Sequence, residues 1–222
     1  GIYRPGYPAG IKGLDAYAAI YADPLPWLEN QWVDYLAPQL YWPSTQTAQA
    51  YGPLVEWWGQ QANGAWIFPG NYLAKLDSSS AWSTEEFRTQ LNLTREQRAA
   101  GVHGNVLYHI GPLLENQSGI QDTFAQELWK SPVLTPTLAH IDATVTPAPW
   151  IERQDRSLYL TAEETLDLRA WTVYEKDSEA LWRLYDIIPK TTTTIELPSG
   201  TWAIAAVSTQ GIESEGVMVE IP

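Results

Sequence analysis

The chain has 222 residues, enough for one large domain or two modest ones. A formal net charge of −13, spread along the chain, argues against nucleic acid and anionic membrane surfaces as partners. No cysteine is present, which excludes disulfides, thiolate catalysis and cysteine metal sites, and no apolar stretch reaches the length of a membrane span.

The first predicted strand covers residues 33–42, after a loop rich in Gly and Pro over residues 1–22 and a short helix over residues 23–28. We interpret this strand as buried. Its faces alternate, with Tyr35, Ala37, Gln39 and Tyr41 on one side and Leu36, Pro38, Leu40 and Trp42 on the other. An amide and a phenol at the end of an inward face favour a ligand pocket, or else two buried groups bonded to neighbouring backbone.

Helices and strands then alternate along the chain. The expected helices cover residues 45–63, 84–100 and 122–129, and the expected strands cover residues 65–69 and 102–110. Strand, helix, strand, helix, strand is the pattern of a parallel sheet with βαβ connections.

From about residue 147 the pattern changes to short strands separated by turn residues. These strands are expected at residues 156–160, 168–174, 181–188, 192–197, 201–207 and 217–221. The series predicts a small antiparallel sandwich. Thr and Pro at residues 135–136 and 146–149 predict a stiff linker. We therefore expect an α/β domain over residues 1–145 and an all-β domain over residues 146–222.

The first domain resembles the glycoside hydrolase-like ten (DUF187) family in four passages, GIYRPG at residues 1–6, WVDYLAPQLYW at 32–42, YGPLVEWW at 51–58 and NVLYH at 105–109. The second domain resembles the fibronectin type III-like module of this family, through WTVY at residues 171–174, GTWAIAAV at 200–207 and GIES at 211–214. The resemblance implies a TIM-type (β/α)8 barrel that cleaves glycosidic bonds in bacterial cell-wall or extracellular polysaccharide. It also implies a secreted or cell-envelope protein whose export signal lies outside this sequence.

A complete barrel of this type takes about 250 residues and eight strands. Residues 1–145 offer only three predicted strands, so we interpret them as the C-terminal part of such a barrel. The remainder would come from the N-terminal half of the same barrel or from a partner such as a second copy in a homodimer.

Glycoside hydrolysis generally uses two carboxyl groups, and in a barrel they extend from the C-terminal ends of strands. The three predicted strand ends carry no acid. Asp34 lies at the opposite end of its strand and favours a structural role, whereas Glu115, in the loop after the third strand, is a weaker catalytic candidate. Asp77 and Glu56 are typical of solvated positions. The catalytic residues are therefore unknown and expected upstream.

The strand ends offer one wall of a sugar subsite. Their amide, phenol, indole and imidazole groups can hydrogen-bond to hydroxyls or stack on a sugar ring. The predicted substrate-binding residues are Arg4, Gln39, Tyr41, Trp42, Asn71, Tyr72, Tyr108 and His109. Arg4 is equally compatible with a surface loop residue. No cofactor is implied, and His109 without a nearby acid or second histidine predicts no metal site. His103 and His140 are expected to be structural or exposed.

Two other hypotheses compete with the enzyme. One is a non-catalytic carbohydrate-binding or scaffolding protein; the other is an adhesion module built around the sandwich, with an exposed apolar patch. The sandwich tryptophans Trp150, Trp171, Trp182 and Trp202 could bind glycan, but Trp171 and Trp202 lie in alternating strands and are expected in the core. A spacer role is therefore favoured. The motifs of phosphate-binding loops, zinc proteases and serine hydrolases are absent.

Overall fold

The computed structural model describes residues 1–77, 82–137 and 144–222. It divides the chain into two compact units, Gly1–Lys130 and Ser131–Pro222. Over the described ranges, no helix has both the length and the apolar character needed to cross a membrane. The domain boundary after residue 145 stays a prediction.

The first unit contains six α-helices and four short strands over its described residues. The helices are α1 (Ala16–Ile20), α2 (Pro24–Glu29), α3 (Tyr51–Gln60), α4 (Thr84–Glu96), α5 (Gly111–Leu114) and α6 (Ile120–Thr123). The strands are β1 (Tyr35–Leu36), β2 (Trp66–Ile67), β3 (Gly70–Asn71) and β4 (Val106–Leu107). Short 3₁₀ turns occupy Leu73–Asp77, Arg98–Ala100 and Gln117–Gly119, and a π-helical turn follows α6 at Phe124–Leu128.

Three stretches of this unit run side by side in parallel and in chain order. We call them the first segment (residues 35–41), the second segment (66–72) and the third segment (102–108). β1 pairs with β2 and β3 with β4, and single bridges join Gln39 to Gly70 and Ile67 to Val102. The parallel arrangement agrees with the alternation of strands and helices in the sequence. The regular ladders are shorter than predicted, because Pro38 and Pro69 have no N–H to donate.

One face of the segments packs against the helices, and the other is open. Leu40 and Ile67 are fully buried in a core with Leu54 and Trp58 of α3. On the opposite face, Tyr35 is 57% exposed. Ala37 and Gln39 of the same face are also exposed. The predicted alternation is therefore confirmed, but the prediction that the first strand is buried is wrong for one of its faces.

The helix predictions were right in position and less accurate in length. Helix α3 begins at Tyr51 rather than near residue 45, because Pro53 is tolerated only in the first turn of a helix. Helix α4 begins at Thr84 as predicted, and its last turn tightens into the 3₁₀ turn Arg98–Ala100. The N-terminal stretch predicted as a loop contains one short helix, α1, whose first turn is capped by Asp15.

The second unit is a sandwich of two antiparallel sheets, as predicted. Its strands are β5 (Trp150–Gln154), β6 (Ser157–Thr161), β7 (Leu168–Lys176), β8 (Trp182–Pro189), β9 (Thr194–Glu196), β10 (Gly200–Ser208) and β11 (Val217–Ile221). One sheet has the order β5-β6-β9 and the other β11-β10-β7-β8. The predicted core positions Trp171 and Trp202 are confirmed, each only 1% exposed. Their indole N–H groups donate to the carbonyls of Thr192 and Pro198, so burial leaves neither donor unsatisfied.

Candidate functional site

Three tyrosines gather at the C-terminal ends of the three parallel segments. The rings of Tyr41 and Tyr72 stack with centroids 4.8 Å apart and planes at 27°. The ring of Tyr108 lies 5.7 Å from Tyr41 and 5.8 Å from Tyr72. We call these three residues the tyrosine cluster. The structure therefore brings together three of the predicted site residues, one from each segment.

The register of the segments explains why these rings meet. Carboxyl ends of neighbouring parallel strands lie at the same edge of a sheet. Gly70 of the second segment forms backbone hydrogen bonds with Pro38 and Leu40 of the first segment. A Cβ atom at position 70 would lie 3.2 Å from the ring of Tyr41. The absence of a side chain there lets the Tyr41 ring rest against the second segment.

The tyrosine cluster combines accessible ring area with hydroxyl groups. Tyr108 is 51% exposed, and Tyr41 and Tyr72 are half-buried. Burial raises the pKa of Tyr41, and the neighbouring Tyr108 and Tyr72 hydroxyls raise it further. Tyr41 is therefore protonated at neutral pH and can donate a hydrogen bond. Lys75 Nζ lies 5.5 Å from the centroid of the Tyr72 ring, where its charge is attracted to the ring face.

Gln39 and His109 flank the cluster along the chain. Gln39 is exposed, with both donor and acceptor atoms of its amide available on the open face. His109 is also exposed, its ring centroid 5.8 Å from that of Tyr108. Its Nδ1 accepts a hydrogen bond from the Gly111 backbone N–H, which assigns the ring proton to Nε2 in the neutral form.

The other predicted site residues have internal partners. Arg4 lies 3.6 Å from the Asp15 carboxylate and stacks over the Tyr17 ring at 4.8 Å, in the N-terminal stretch. Trp42 packs against the core beneath the segments, on the face opposite Tyr41. Asn71 is fully buried and points away from the open surface. A strand pattern could not predict the burial of Asn71. The strand β3 contains only Gly70 and Asn71, and the alternation of its side chains between the two faces begins anew after Pro69.

Asn71 belongs to a buried polar network that sequence reasoning missed. Its Nδ2 donates to Tyr51 Oη at 3.1 Å and to Gln90 Oε1 at 2.8 Å, while its Oδ1 accepts from Asn105 Nδ2 at 2.7 Å. Asn105 also donates to Tyr51 at 3.2 Å and to Thr94 at 3.0 Å. The available sequence signal was a pair of polar residues, Gln90 and Thr94, spaced by four on the buried face of α4.

The network reaches the loop that follows the first segment. Gln90 Nε2 donates to the Trp42 carbonyl at 3.3 Å and to Glu86 Oε1 at 2.7 Å. Both carboxylate oxygens of Glu86 accept from Ser44, one from its backbone N–H at 2.6 Å and one from its hydroxyl at 2.8 Å. These bonds anchor residues 42–44 to α4 and so help to fix the chain next to Tyr41.

The acids weighed in the sequence lie apart from the cluster or are solvated. Asp34 is exposed at the amino end of the first segment, and Glu56 is exposed on α3. Glu115 is exposed and accepts from Gln117 at 2.7 Å. The side chain of Asp77 and all of His140 lie outside the described residues. His103, predicted as structural or exposed, is half-buried beside Trp66.

Among residues 1–77, 82–137 and 144–222, no group of three or more His, Cys, Asp or Glu side chains is arranged to hold a metal ion. The side chains gathered at the segment ends are aromatic and hydrogen-bonding. Its accessible groups are the rings and hydroxyls of the tyrosine cluster, the Gln39 amide and the His109 imidazole.

Comparison with known proteins finds no matching family model, but it finds clear relatives. The glycosyl hydrolase YngK of Bacillus subtilis strain 168 is 30% identical over 146 residues, covering 64% of this chain and 28% of YngK. The glycosyl hydrolase DigH of Escherichia coli K12 is 45% identical over 130 residues, covering 54% of this chain and 29% of DigH. These relatives support a glycoside hydrolase-like family. The chain spans less than a third of the length of either one.

Solved structures give weaker overlaps. The Clostridium perfringens spore cortex lytic enzyme SleM matches with a TM-score of 0.27 and 12% identity, over 84% of this chain and 78% of SleM. A Cellulomonas fimi endo-β-1,4-mannanase mutant matches with a TM-score of 0.31 and 14% identity, over 86% of this chain and 48% of the mannanase. A human fibronectin type III domain matches with a TM-score of 0.25 and 14% identity, over 42% of this chain and 91% of that domain. These scores are too low to support an argument about fold or function.

Proposed function

We propose that this chain is part of a glycoside hydrolase acting on a bacterial cell-wall or extracellular polysaccharide, and that it supplies one wall of the substrate-binding site. The observation that carries the proposal is the convergence of Tyr41, Tyr72 and Tyr108 at the ends of three neighbouring parallel segments. The similarity to YngK and DigH, both named glycosyl hydrolases, supports a carbohydrate-active role.

The chemistry of the cluster suits a sugar ring. A pyranose has an apolar C–H face that packs on an aromatic ring, and hydroxyls that need both donors and acceptors. The exposed ring of Tyr108 offers the apolar surface, and the Gln39 amide beside Tyr41 offers a donor and an acceptor. His109 adds a further donor, since its Nδ1 is occupied by the Gly111 N–H. We place substrate contacts on these residues.

We further propose that the parallel segments are the C-terminal part of a (β/α)8 barrel. In such barrels helices cover the outside, strand faces point inward, and the active site lies at the C-terminal ends of the strands. Two features support this arrangement. In the described parts of the chain the helices pack on one face of the segments, and the tyrosine cluster lies at their C-terminal ends. The open face, with Tyr35 exposed, would be covered by the N-terminal half of the same barrel or by a second copy.

The catalytic carboxylates would then come from outside these strand ends. The last residues of the three segments are tyrosines, His109 follows the third, and the exposed Glu115 accepts a hydrogen bond from Gln117. Two carboxyl groups on opposite sides of the scissile bond are needed for hydrolysis. We therefore propose that this chain binds glycan but does not cleave it alone, and that the complete enzyme works in the cell envelope or outside the cell.

A second candidate function is non-catalytic carbohydrate binding or scaffolding by the same surface. The observation in its favour is the aromatic and amide character of the strand ends, which can bind a sugar without chemistry. The two functions differ in whether a longer product of the gene hydrolyses glycan.

The binding test follows the tyrosine-ring NMR signals of the chain during titration with a tetramer of β-1,4-linked N-acetylglucosamine. Signals of Tyr41, Tyr72 and Tyr108 are expected to shift together. Tyr72→Ala removes the central stacked ring and should weaken binding at the cluster about tenfold, at the upper range of one aromatic contact. Tyr159→Ala, which removes a 40% exposed tyrosine of the sandwich, is the matched control and should leave these shifts unchanged.

Turnover is tested by measuring new reducing ends from purified cell-wall glycan strands. We expect none from this chain alone and a signal when the segment preceding Gly1 in a longer gene product is restored. Hydrolysis by the chain alone would contradict the assignment of both carboxylates to another part of the protein. Binding without hydrolysis by the longer product would favour the second candidate function, and unshifted tyrosine signals would refute both.

A further inference from the structure

The sandwich carries a cleft of about 370 Å³ on the outer face of its four-stranded sheet. Its floor is formed by Ala203 and Ala205 of β10, which alternate with the core residues Trp202 and Ile204. Ala203 is 8% exposed and Ala205 only 2%, although neither faces the core. Side chains from neighbouring strands therefore rise around a floor of two methyl groups.

The two long sides of the cleft are apolar and accessible. Met218 of β11 pairs with Ala203 across the sheet and is 67% exposed. Trp182 of β8 lines the opposite side and is 40% exposed. Lys176 Nζ lies 5.5 Å from the Trp182 ring centroid. The indole thus presents an accessible apolar ring to the cleft.

One carboxylate extends into the cleft from the chain before β11. Glu213 crosses the sheet and its Oε1 accepts from the Thr172 hydroxyl at 2.5 Å and from the Tyr174 hydroxyl at 2.7 Å. Thr172 pairs with Ala205 and Tyr174 with Ala203, so the small side chains of the floor permit this crossing. Burial and the bond to Glu213 raise the pKa of Tyr174, which keeps its hydroxyl a donor at neutral pH.

The two hydroxyl groups fix the carboxylate in position and leave its second oxygen without a protein partner within the described parts of the chain. An anionic ligand would be repelled by this carboxylate, and a purely apolar one would leave its second oxygen without a hydrogen-bond donor. A ligand with an apolar face and hydroxyl donors satisfies both the Trp182 indole and Glu213. These are the properties of a neutral pyranose.

We propose that this cleft, between Trp182 and Met218 with Glu213 at its end, is a second saccharide-binding site. The proposal does not depend on the tyrosine cluster, because every residue that carries it belongs to the sandwich. It gives the second unit a ligand of its own, in place of the spacer role that the sequence favours. The proposal also gives the two exposed tryptophans different roles, because Trp182 lines the cleft and Trp150 does not.

The test uses the 15N-labelled 222-residue chain and the same N-acetylglucosamine tetramer as probe, with the tryptophan indole N–H signals as readout. We expect the Trp182 signal to shift and the Trp150 signal to stay. Trp182→Ala should weaken binding at the sandwich about tenfold, and Glu213→Gln, which keeps an acceptor but removes the charge, about threefold. For Trp182→Ala, the signals of the Glu213 and Ser214 backbone amides replace the lost indole as readout.

Trp150→Ala is the matched control and should leave the affinity at this cleft unchanged. Unaltered Trp171 and Trp202 indole signals in each variant show that the sandwich core is intact. A second titration in Tyr72→Ala separates the two sites, since the Trp182 shift should persist there whether or not the tyrosine cluster binds sugar. An unshifted Trp182 signal at saturating probe, or equal losses in Trp182→Ala and Trp150→Ala, would overturn the proposal.

Discussion

The hydroxyl of Tyr51 joins four elements of the first unit. Tyr51 begins α3, and its oxygen accepts from Asn71 of β3 and from Asn105, just before β4. It also lies 2.8 Å from the Thr94 hydroxyl on α4. Because Thr94 donates to the Gln90 carbonyl at 3.1 Å, the remaining proton of this pair is that of Tyr51, which donates to Thr94. One buried phenol therefore holds two segments and two helices in register behind the tyrosine cluster.

Removal of this hydroxyl should destabilise the fold. In Tyr51→Phe, Asn105 keeps two other acceptors, but Asn71 keeps only Gln90 and one of its buried amide hydrogens loses its partner, so the expected loss is about 1 to 3 kcal/mol of unfolding free energy. Chemical denaturation followed by tryptophan fluorescence measures the change. Tyr21→Phe is the matched control, since Tyr21 is 90% exposed and its loss should be negligible. Equal effects of the two substitutions would show that the Tyr51 hydroxyl does not stabilise this network.

The same hydroxyl gives the stability a dependence on alkaline pH. Burial raises the pKa of Tyr51 to about 12, above its usual value near 10. The folded chain holds this proton more tightly than the unfolded chain, so the stabilisation is complete below about pH 10 and is lost as the pH rises towards about 12. Unfolding free energy should fall across this window more steeply in the natural chain than in Tyr51→Phe.

At the scale of elements, the approach of the first and second segments depends on Gly70. Its N–H donates to the Pro38 carbonyl at 2.8 Å and its carbonyl accepts from the Leu40 N–H at 3.0 Å. A Cβ atom there would also lie 3.3 Å from the Gln39 Cα, so the first segment would have to shift. Parallel pairing brings the segment ends together, and this glycine allows the Tyr41 ring to fold over the neighbouring segment.

Gly70→Ala should therefore disturb the tyrosine cluster as well as the fold. Overpacking of this kind costs about 1 to 3 kcal/mol of unfolding free energy. The NMR signals of the Tyr41 and Tyr72 rings should shift, because the rings no longer stack as they do in the unaltered chain. Gly104→Ala in the third segment is the control, because its Cβ would meet the Phe68 ring at an ordinary distance of 3.4 Å. An unchanged tyrosine spectrum in Gly70→Ala would show that the close approach does not position the cluster.

At the scale of the whole molecule, the two units have separate hydrophobic cores. The sandwich core is built from both of its sheets, with Leu158 and Ile195 facing Trp171, Trp202 and Ile204. The core under the parallel segments contains Leu28, Leu54 and Ile67 with their neighbours. Each buried cluster is drawn from one unit, so the cooperative unit of folding is expected to be the unit rather than the chain.

Residues 144–222 should consequently fold on their own. We expect a single cooperative transition in thermal unfolding and protected Trp171 and Trp202 indole signals. Trp171→Ala should abolish this fold, since replacing a buried tryptophan costs about 3 to 5 kcal/mol, a large part of the stability of a small domain. Trp150→Ala, at a 62% exposed site, should leave the transition in place. If the unsubstituted fragment of residues 144–222 is unfolded, the sandwich needs the first unit in order to fold.

Periodicity in the chain predicted the sandwich, the alternation of helices and parallel segments and the ends of the three segments, but it missed the short helix α1 and the strand β5. Alternation placed Leu40 and Gln39 on opposite faces of the first segment, because successive side chains of a strand point to opposite sides. It also placed Trp171 and Trp202 in the core. These features depend on neighbours along the chain, which a sequence pattern reports directly.

The roles of Asn71, Arg4 and Glu213 required the tertiary structure. Asn71 finds its partners on two helices, Arg4 pairs with Asp15, and Glu213 reaches hydroxyls two strands away. A polar side chain can form a hydrogen bond with any suitable group within about 3 Å. The sequence pattern does not indicate which elements come that close. The exposure of the open face of the segments also required the tertiary structure, because burial of a face depends on what packs against it and not on its own alternation.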